Sequence, residues 1–277
     1  MRKSFVKSAK FFRRCFSSSS NFSHDTVNFT PASSNSSPSS VLLTCEHGSN
    51  KVPSPWSSRL SSSDSKLLSR HWGHDIGAEK LTREMCQKYG YAAIIAKTSR
   101  IIIDVNREIH SETLIRTFAD GLIIDCNQNL TDEEINERIE KIYRPYHQKL
   151  AEIVQIQKPQ IAISIHSFTD NYEGQIRSMK IGILFRDDRD AEAAEELRKN
   201  FESAGIPTAI NEPWSGKLGF MFALDSVSRA AYFNSSINYS LMIEMRQDCA
   251  EDSEFRANVA EILKNFIQVR IQNTKND

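Results

Sequence analysis

Five apolar runs of strand length constrain this chain more than any other feature. VLLTC (41–45), AAIIAK (92–97), IAISIH (161–166), MKIGILFR (179–186) and SLMIEMR (240–246) are too continuously apolar for a sheet with one wet face, and segments of helical period separate them. Such runs need cover on both faces, which predicts a three-layer α/β/α sandwich around a mostly parallel or mixed central sheet. The helical stretches are 75–90, closing on Gly90; 131–157, opening on Thr131-Asp132-Glu133-Glu134; 190–205, closing on Gly205; and 253–272. RIIIDV (100–105) reads as a further β-rich run and PTAINE (207–212) as a short extended one. In sheets of this kind, sites gather at the carboxyl ends of the strands.

The amino-terminal 40 residues have a different character. MRKSFVKSAKFFRRCFSSSSNFSH carries six basic residues before position 15 and no acid before Asp25. Residues 1–24 therefore read as a mitochondrial transit peptide, with the matrix as the expected compartment and the cytoplasm as the alternative. Residues 25–40, rich in Ser, Pro and Asn, read as a disordered linker, which leaves one domain over 41–273. Formal net charge is zero, so nothing in it calls for a nucleic-acid partner. No run approaches the ~18 apolar residues that span a bilayer, so no membrane partner is expected either. The five cysteines form no Cys-x-x-Cys, against both a zinc finger and a disulfide scaffold. A phosphate-binding Gly-x-x-x-x-Gly-Lys-Ser loop and a Gly-x-Ser-x-Gly nucleophile motif are both missing.

The strand exits carry the chemistry. VLLTC runs into Glu46-His47-Gly48-Ser49-Asn50, RIIID into Asn106-Arg107, IAISI into His166-Ser167, and SLMI into Glu244 with Arg246 two positions on. One strand-end histidine is more often a hydrogen-bonded structural residue than a ligand. Two histidines, two carboxylates and arginines at four such ends point to a site. His71 and His74, at i and i+3, form an alternative metal pair, whereas His147 sits on an amphipathic helix and reads as structural.

EHGSN (46–50), the Ser99–Arg107 stretch, Asp120-Gly121, PYH (145–147), HSFT (166–169), NEPWSG (211–216) and IEMRQD (243–248) together resemble the N-formylglutamate amidohydrolase family, in the family's order. More distantly they are similar to the zinc carboxypeptidases. The resemblance implies a carboxypeptidase-like α/β fold, one catalytic Zn²⁺ per chain, and hydrolysis of the N-acyl amide of a small acylated amino acid such as N-formyl-L-glutamate. A carboxypeptidase-like hydrolase of peptides or amino-acid conjugates, or a catalytically silent ligand-binding member, are the alternatives.

The resemblance also implies roles. His47 and His166 become metal ligands, with Asp75 as the third and Glu46 as its competitor. Asp104 becomes the carboxylate behind a ligating imidazole. Asn106, Arg107 and Arg100 become the substrate-binding group, because a planar guanidinium matches a carboxylate. Glu244 becomes the general base, and Arg177 and Arg246 the catalytic cations facing the oxyanion. Ser167 and Thr169 shape the turn behind His166. The chain departs from the pattern in three places: Asn50 stands where a ligand Glu is expected, no histidine occurs over 218–240, and Trp214 replaces a usual tyrosine.

Overall fold

Strand-forming runs and helices assemble as the periodicity predicts, in a computed structural model that describes residues 27–30, 40–172, 174–228 and 235–273. In chain order its strands are β1 (Val27–Thr30), β2 (Val41–Cys45), β3 (Ala92–Ala96), β4 (Phe118–Ala119), β5 (Leu122–Ile123), β6 (Ile161–Phe168), β7 (Asn171–Tyr172), β8 (Gln175–Ile176), β9 (Ile181–Leu184), β10 (Thr208–Ile210) and β11 (Tyr239–Arg246). The helices are α1 (Ser62–Leu68), α2 (Ala78–Tyr89), α3 (Asp132–Arg138), α4 (Arg144–Gln157), α5 (Ala191–Ser203), α6 (Phe222–Ser228), α7 (Gln247–Ala250) and α8 (Ser253–Asn273).

The main sheet has seven strands in the order β1-β3-β2-β6-β11-β9-β10. Its four central strands, β3, β2, β6 and β11, are mutually parallel, while β1 and β9 run antiparallel to their inner neighbours. Alternation along each strand sorts the core into two layers. Leu43, Ile95, Ile163 and Ile243 face α2, α5 and α8, whereas Leu42, Ile94, Ala162 and Met242 face the α3–α4 side. Both layers are buried, which is why the strands read as continuous apolar runs.

Helix ends follow their caps. Gly90, at φ 72°, closes α2, and Thr131 with Glu134 forms a reciprocal capping box that opens α3. The expected 131–157 helix is continuous but widens to a π-turn over Ile139–Tyr143. Pro145, in the first turn of α4, explains it: a proline lacks the amide and crowds the preceding turn.

Two expectations are corrected and one lies beyond reach of the structure. Residues 27–30, expected within a disordered linker, form β1 and pair with β3 in the register Val27↔Ala96 to Thr30↔Ala93. The expected transit peptide, 1–24, lies outside the described residues. The RIIIDV run is not a strand but a buried loop of successive turns. Its backbone groups bond to side chains and turns instead of a ladder: Asn127 donates to the Ile101 carbonyl, Arg138 to that of Ile102, and His147 Nε2 to that of Val105. Burial holds His147 down to about 4, so it is neutral and structural, as the sequence suggests.

Arg138 is the anchor of this loop. Wholly buried, it donates to the Ile102 carbonyl at 2.9 Å, to Asn127 Oδ1 at 2.6 Å and to the Cys126 carbonyl at 3.0 Å. Arg138→Met leaves three buried acceptors unsatisfied, and a loss of about 3 kcal/mol or more of unfolding free energy is expected in urea titrations. A change under about 1 kcal/mol contradicts the anchoring role.

Candidate metal centre and active site

Strand β2 stops at Cys45, but β6 runs on to Phe168 because β11 pairs with it as far as Arg246↔Phe168. His166 is therefore inside a strand and not its last residue. The gap left by the end of β2 is where the polar residues meet. Glu244 lies beside His166 in register, and Glu46, Ser164 and His166 share the α3–α4 face of the sheet.

His47 Nδ1, His166 Nδ1 and Asp75 Oδ2 converge: 3.1 Å between the two nitrogens, 2.7 Å from His166 to Asp75 and 3.4 Å from His47 to Asp75. Each ring turns its other nitrogen onto a carboxylate, His47 Nε2 onto Asp104 Oδ1 at 2.7 Å and His166 Nε2 onto Glu46 Oε2 at 2.9 Å. An ionised carboxylate only accepts, so both Nε2 atoms carry a hydrogen, and each ring, when neutral, turns its Nδ1 lone pair inward. Three acceptors facing one another within 3.4 Å repel unless a proton or a metal ion sits among them. Two imidazoles and one carboxylate are the donor set of a catalytic zinc site with a position open to substrate. The group thus fits a metal ion.

The order in the sequence becomes intelligible. Asp75 reaches the centre because its amide bonds to the His47 carbonyl at 2.9 Å. Asn50 is exposed and takes no part. Glu46 is not a ligand: it lies behind His166, accepting Ser164 Oγ at 2.6 Å and Tyr146 Oη at 3.1 Å as well. Although burial opposes ionisation, His166 first and then the Ser164 and Thr44 hydroxyls hold Glu46 down to about 2. Burial likewise opposes Asp104, yet His47, Arg107 and Arg100 hold it well below the usual carboxylate range. Burial would lower His166, but Asp75 and Glu46 outweigh it and push the ring up to about 10. The triad demands positive charge at its centre.

Glu244 is the exception among these carboxylates. It is buried, its Oε2 has no hydrogen-bond partner among the described residues, and burial together with the nearby Asp75 charge pushes it up to about 7. Opposite it, Gly182 lets the neighbouring segment approach: a Cβ there would lie 2.1 Å from the Glu212 carbonyl oxygen. That segment carries Trp214.

A cavity of about 250 Å³ opens in front of these groups, lined by His47, Asp75, His166, Glu244, Arg107 and the aromatic residues Trp72, Trp214 and Phe220, among others. Of the expected substrate-binding residues, Arg107 lines it, with its guanidinium 4.9 Å above Phe220. Arg100 also lines it but is committed to two carboxylates, Asp75 Oδ1 at 3.3 Å and Asp104 Oδ2 at 3.4 Å. Asn106 lines it too, with its carboxamide donating to the Phe220 carbonyl at 2.7 Å and accepting from the Ala223 amide at 3.0 Å, clasping that wall. Arg246, expected as a catalytic cation, is corrected: Asp248 and the Arg177 carbonyl hold its guanidinium, and it does not line the cavity. Arg177 stands behind the rim, 4.7 Å above Trp214, and donates to the Thr169 carbonyl. His71 lines the wall and His74 does not; among the described residues the two join no metal-competent group. Ser167 and Thr169 bond to neighbouring chain segments and act as shaping residues.

Sequence reading missed Arg116, Trp72, Tyr172 and Phe220. Arg116 lies four residues before the Asp120-Gly121 turn, a signal visible only once that turn is placed beside the cavity.

The family model described as N-formylglutamate amidohydrolase matches residues 39–250, and the chain belongs to that family. A gene product of Agrobacterium tumefaciens is similar in structure, with a TM-score of 0.78 and 26% sequence identity, covering 91% of this chain and 96% of that one. An N-formylglutamate amidohydrolase from Ralstonia eutropha JMP134 shares the fold, with a TM-score of 0.68 and 18% identity, covering 90% and 99%. No curated protein sequence matches the chain. Family membership makes this an amide-cleaving hydrolase of a small molecule.

Two outcomes are expected of the centre. A neutral His166 ring is required of a ligand, so zinc loading at pH 7.5 should release about one proton, read by calorimetry in buffers of different ionisation enthalpy. No release contradicts it. Glu46→Gln should weaken zinc binding about 10–100-fold in a chelator competition, and an unchanged affinity removes Glu46 from the support of His166.

Proposed function

We propose that this family member is a zinc-dependent amidohydrolase that cleaves the N-acyl amide of a small acylated amino acid, with N-formyl-L-glutamate as the reference substrate. The observation that carries the reading is the inward-facing His47–Asp75–His166 triad beside a buried Glu244 with a free oxygen. Those three residues would hold the ion, which when bound supplies Lewis acidity toward water and the amide carbonyl.

Everything else falls to the chain itself. Arg107 takes the substrate's carboxylate in its guanidinium plane, its face resting on Phe220. Glu244, ionised, accepts a proton from water at its free Oε2 as the water oxygen attacks the acyl carbon. The protonated Glu244 then gives that proton to the amide nitrogen, the C–N bond breaks, and the acid and the free amine leave. A carboxyl group held up near 7 by burial suits both halves of this exchange. Arg177, held behind the rim, supplies positive potential toward Glu244 and the developing oxyanion.

Glu244→Gln keeps the shape and removes the proton acceptor. It should lower kcat for N-formyl-L-glutamate by about 10²–10⁴-fold while zinc content stays stoichiometric. Turnover within a few-fold of wild type removes Glu244 as the base. Since protonated Glu244 cannot accept a proton, kcat/KM should fall as pH drops through an acid limb at or below about 7, and that limb should vanish in Glu244→Gln. Residues 1–24 we read as a mitochondrial presequence; a reporter fused to residues 1–40 that stays in the cytosol overturns that reading.

A further inference from the structure

Four guanidinium groups lie at or near the cavity, and they are not equally occupied. Arg100 bridges Asp75 and Asp104. Arg107 keeps Asp104 at 4.0 Å and donates to the Asn106 carbonyl. Arg177 donates to the Thr169 carbonyl. Arg116 lines the cavity and has nothing: among the described residues no carboxylate lies within 4.0 Å of it, its side chain donates no hydrogen bond, and its Nε is enclosed without a partner. Its guanidinium sits 5.6 Å from the Trp72 ring, which belongs to the same wall. An enclosed charge without a partner is costly, and three cations drawn to one cavity repel one another.

A guanidinium laid over an indole has its face covered and its edge open. The open edge presents paired N–H groups in one plane, the geometry that grips a carboxylate with two hydrogen bonds. Arg107 already serves the carboxylate that every N-acyl amino acid carries. Arg116 is therefore a surplus cation for such a substrate, and it calls for a second anionic group.

We propose that Arg116, backed by Trp72, is the specificity-determining residue that binds a second carboxylate of the substrate and so selects N-acyl derivatives of acidic amino acids over their neutral isosteres. The inference rests on the amidohydrolase reading above and adds to it which residue reads the side chain. Burial and the charges of Arg100 and Arg107 pull Arg116 below its ordinary value, so an incoming carboxylate relieves a strain already present in the wall. Trp72 has a second part in this: its ring, 5.6 Å from the guanidinium, covers one face of the charge.

The test compares N-formyl-L-glutamate with N-formyl-L-glutamine, the same shape without the charge, on the zinc-loaded full chain. A hydrogen-bonded charge pair of this kind is worth roughly 10–100-fold. Wild type should favour the glutamate compound by about that factor in kcat/KM, carried by KM. Arg116→Gln should bring the ratio near one, and Arg116→Lys should restore part of it. A merely structural role lowers both substrates together and leaves the ratio intact, which overturns the proposal; so does a wild type that does not discriminate. Calorimetric binding of glutarate against butyrate gives a readout independent of turnover. Wild type should bind glutarate at least about 10-fold more tightly and Arg116→Gln should not; equal binding by wild type overturns the proposal. Absence of turnover on every N-acyl amino acid would sink the amidohydrolase reading, and the glutarate preference would still decide for or against Arg116.

Discussion

Mutual repulsion among three inward-facing lone pairs, on His47 Nδ1, His166 Nδ1 and Asp75 Oδ2, is the constraint on which the rest of the site depends. Three acceptors inside 3.4 Å hold together in a folded protein only if positive charge lies between them. The surroundings enforce this. Asp104 and Glu46 each take the outer hydrogen of one imidazole, so neither ring, while neutral, can turn a donor inward without losing a buried bond. Glu46 is in turn fixed by Ser164 and Tyr146, and Asp104 by Arg100 and the Asn106 amide. The centre is thus built from the sheet outward, each carboxylate held by donors from a different element.

Glu244 gains its reactivity from being left out of that arrangement. Glu46 and Asp104 are held ionised by donors, whereas Glu244 has one oxygen unpartnered and is pushed toward neutrality. The same residue type therefore plays opposite parts within one site: fixed anions that orient ligands, and a carboxyl that exchanges its proton near neutral pH. The backbone makes this possible. Parallel pairing of β6 and β11 places Glu244 beside His166, and the early end of β2 opens the space both face.

Much of this was legible in the sequence. Continuous apolar runs disclosed a sheet buried on both faces, and the strand exits marked His47, His166 and Glu244, all of which line one cavity. RIIIDV misled because composition records that a segment is buried but not what satisfies its backbone; Asn127, Arg138 and His147 lie 26 to 42 residues from the carbonyls they bind and take the bonds a neighbouring strand would have taken. Val27–Thr30 hid in polar surroundings, since an edge strand needs only one partner and few apolar contacts. Asn106 had the chemistry of a substrate anchor and Arg246 that of a catalytic cation, yet each bonds to a neighbour that sequence spacing does not reveal. Arg116 stayed hidden for the converse reason: an arginine outside every motif becomes informative only when it is seen to line a cavity with no carboxylate beside it among the described residues.

The identity of the charge at the centre is open to one direct measurement, anomalous diffraction at the zinc absorption edge from crystals of protein purified with no metal added and no chelator. A single peak is expected within bonding distance of His47 Nδ1, His166 Nδ1 and Asp75 Oδ2, about 2.0–2.2 Å from each. Crystals grown with excess zinc that show no peak there, or a peak at His71 and His74 instead, would contradict the metal centre on which the proposed chemistry stands.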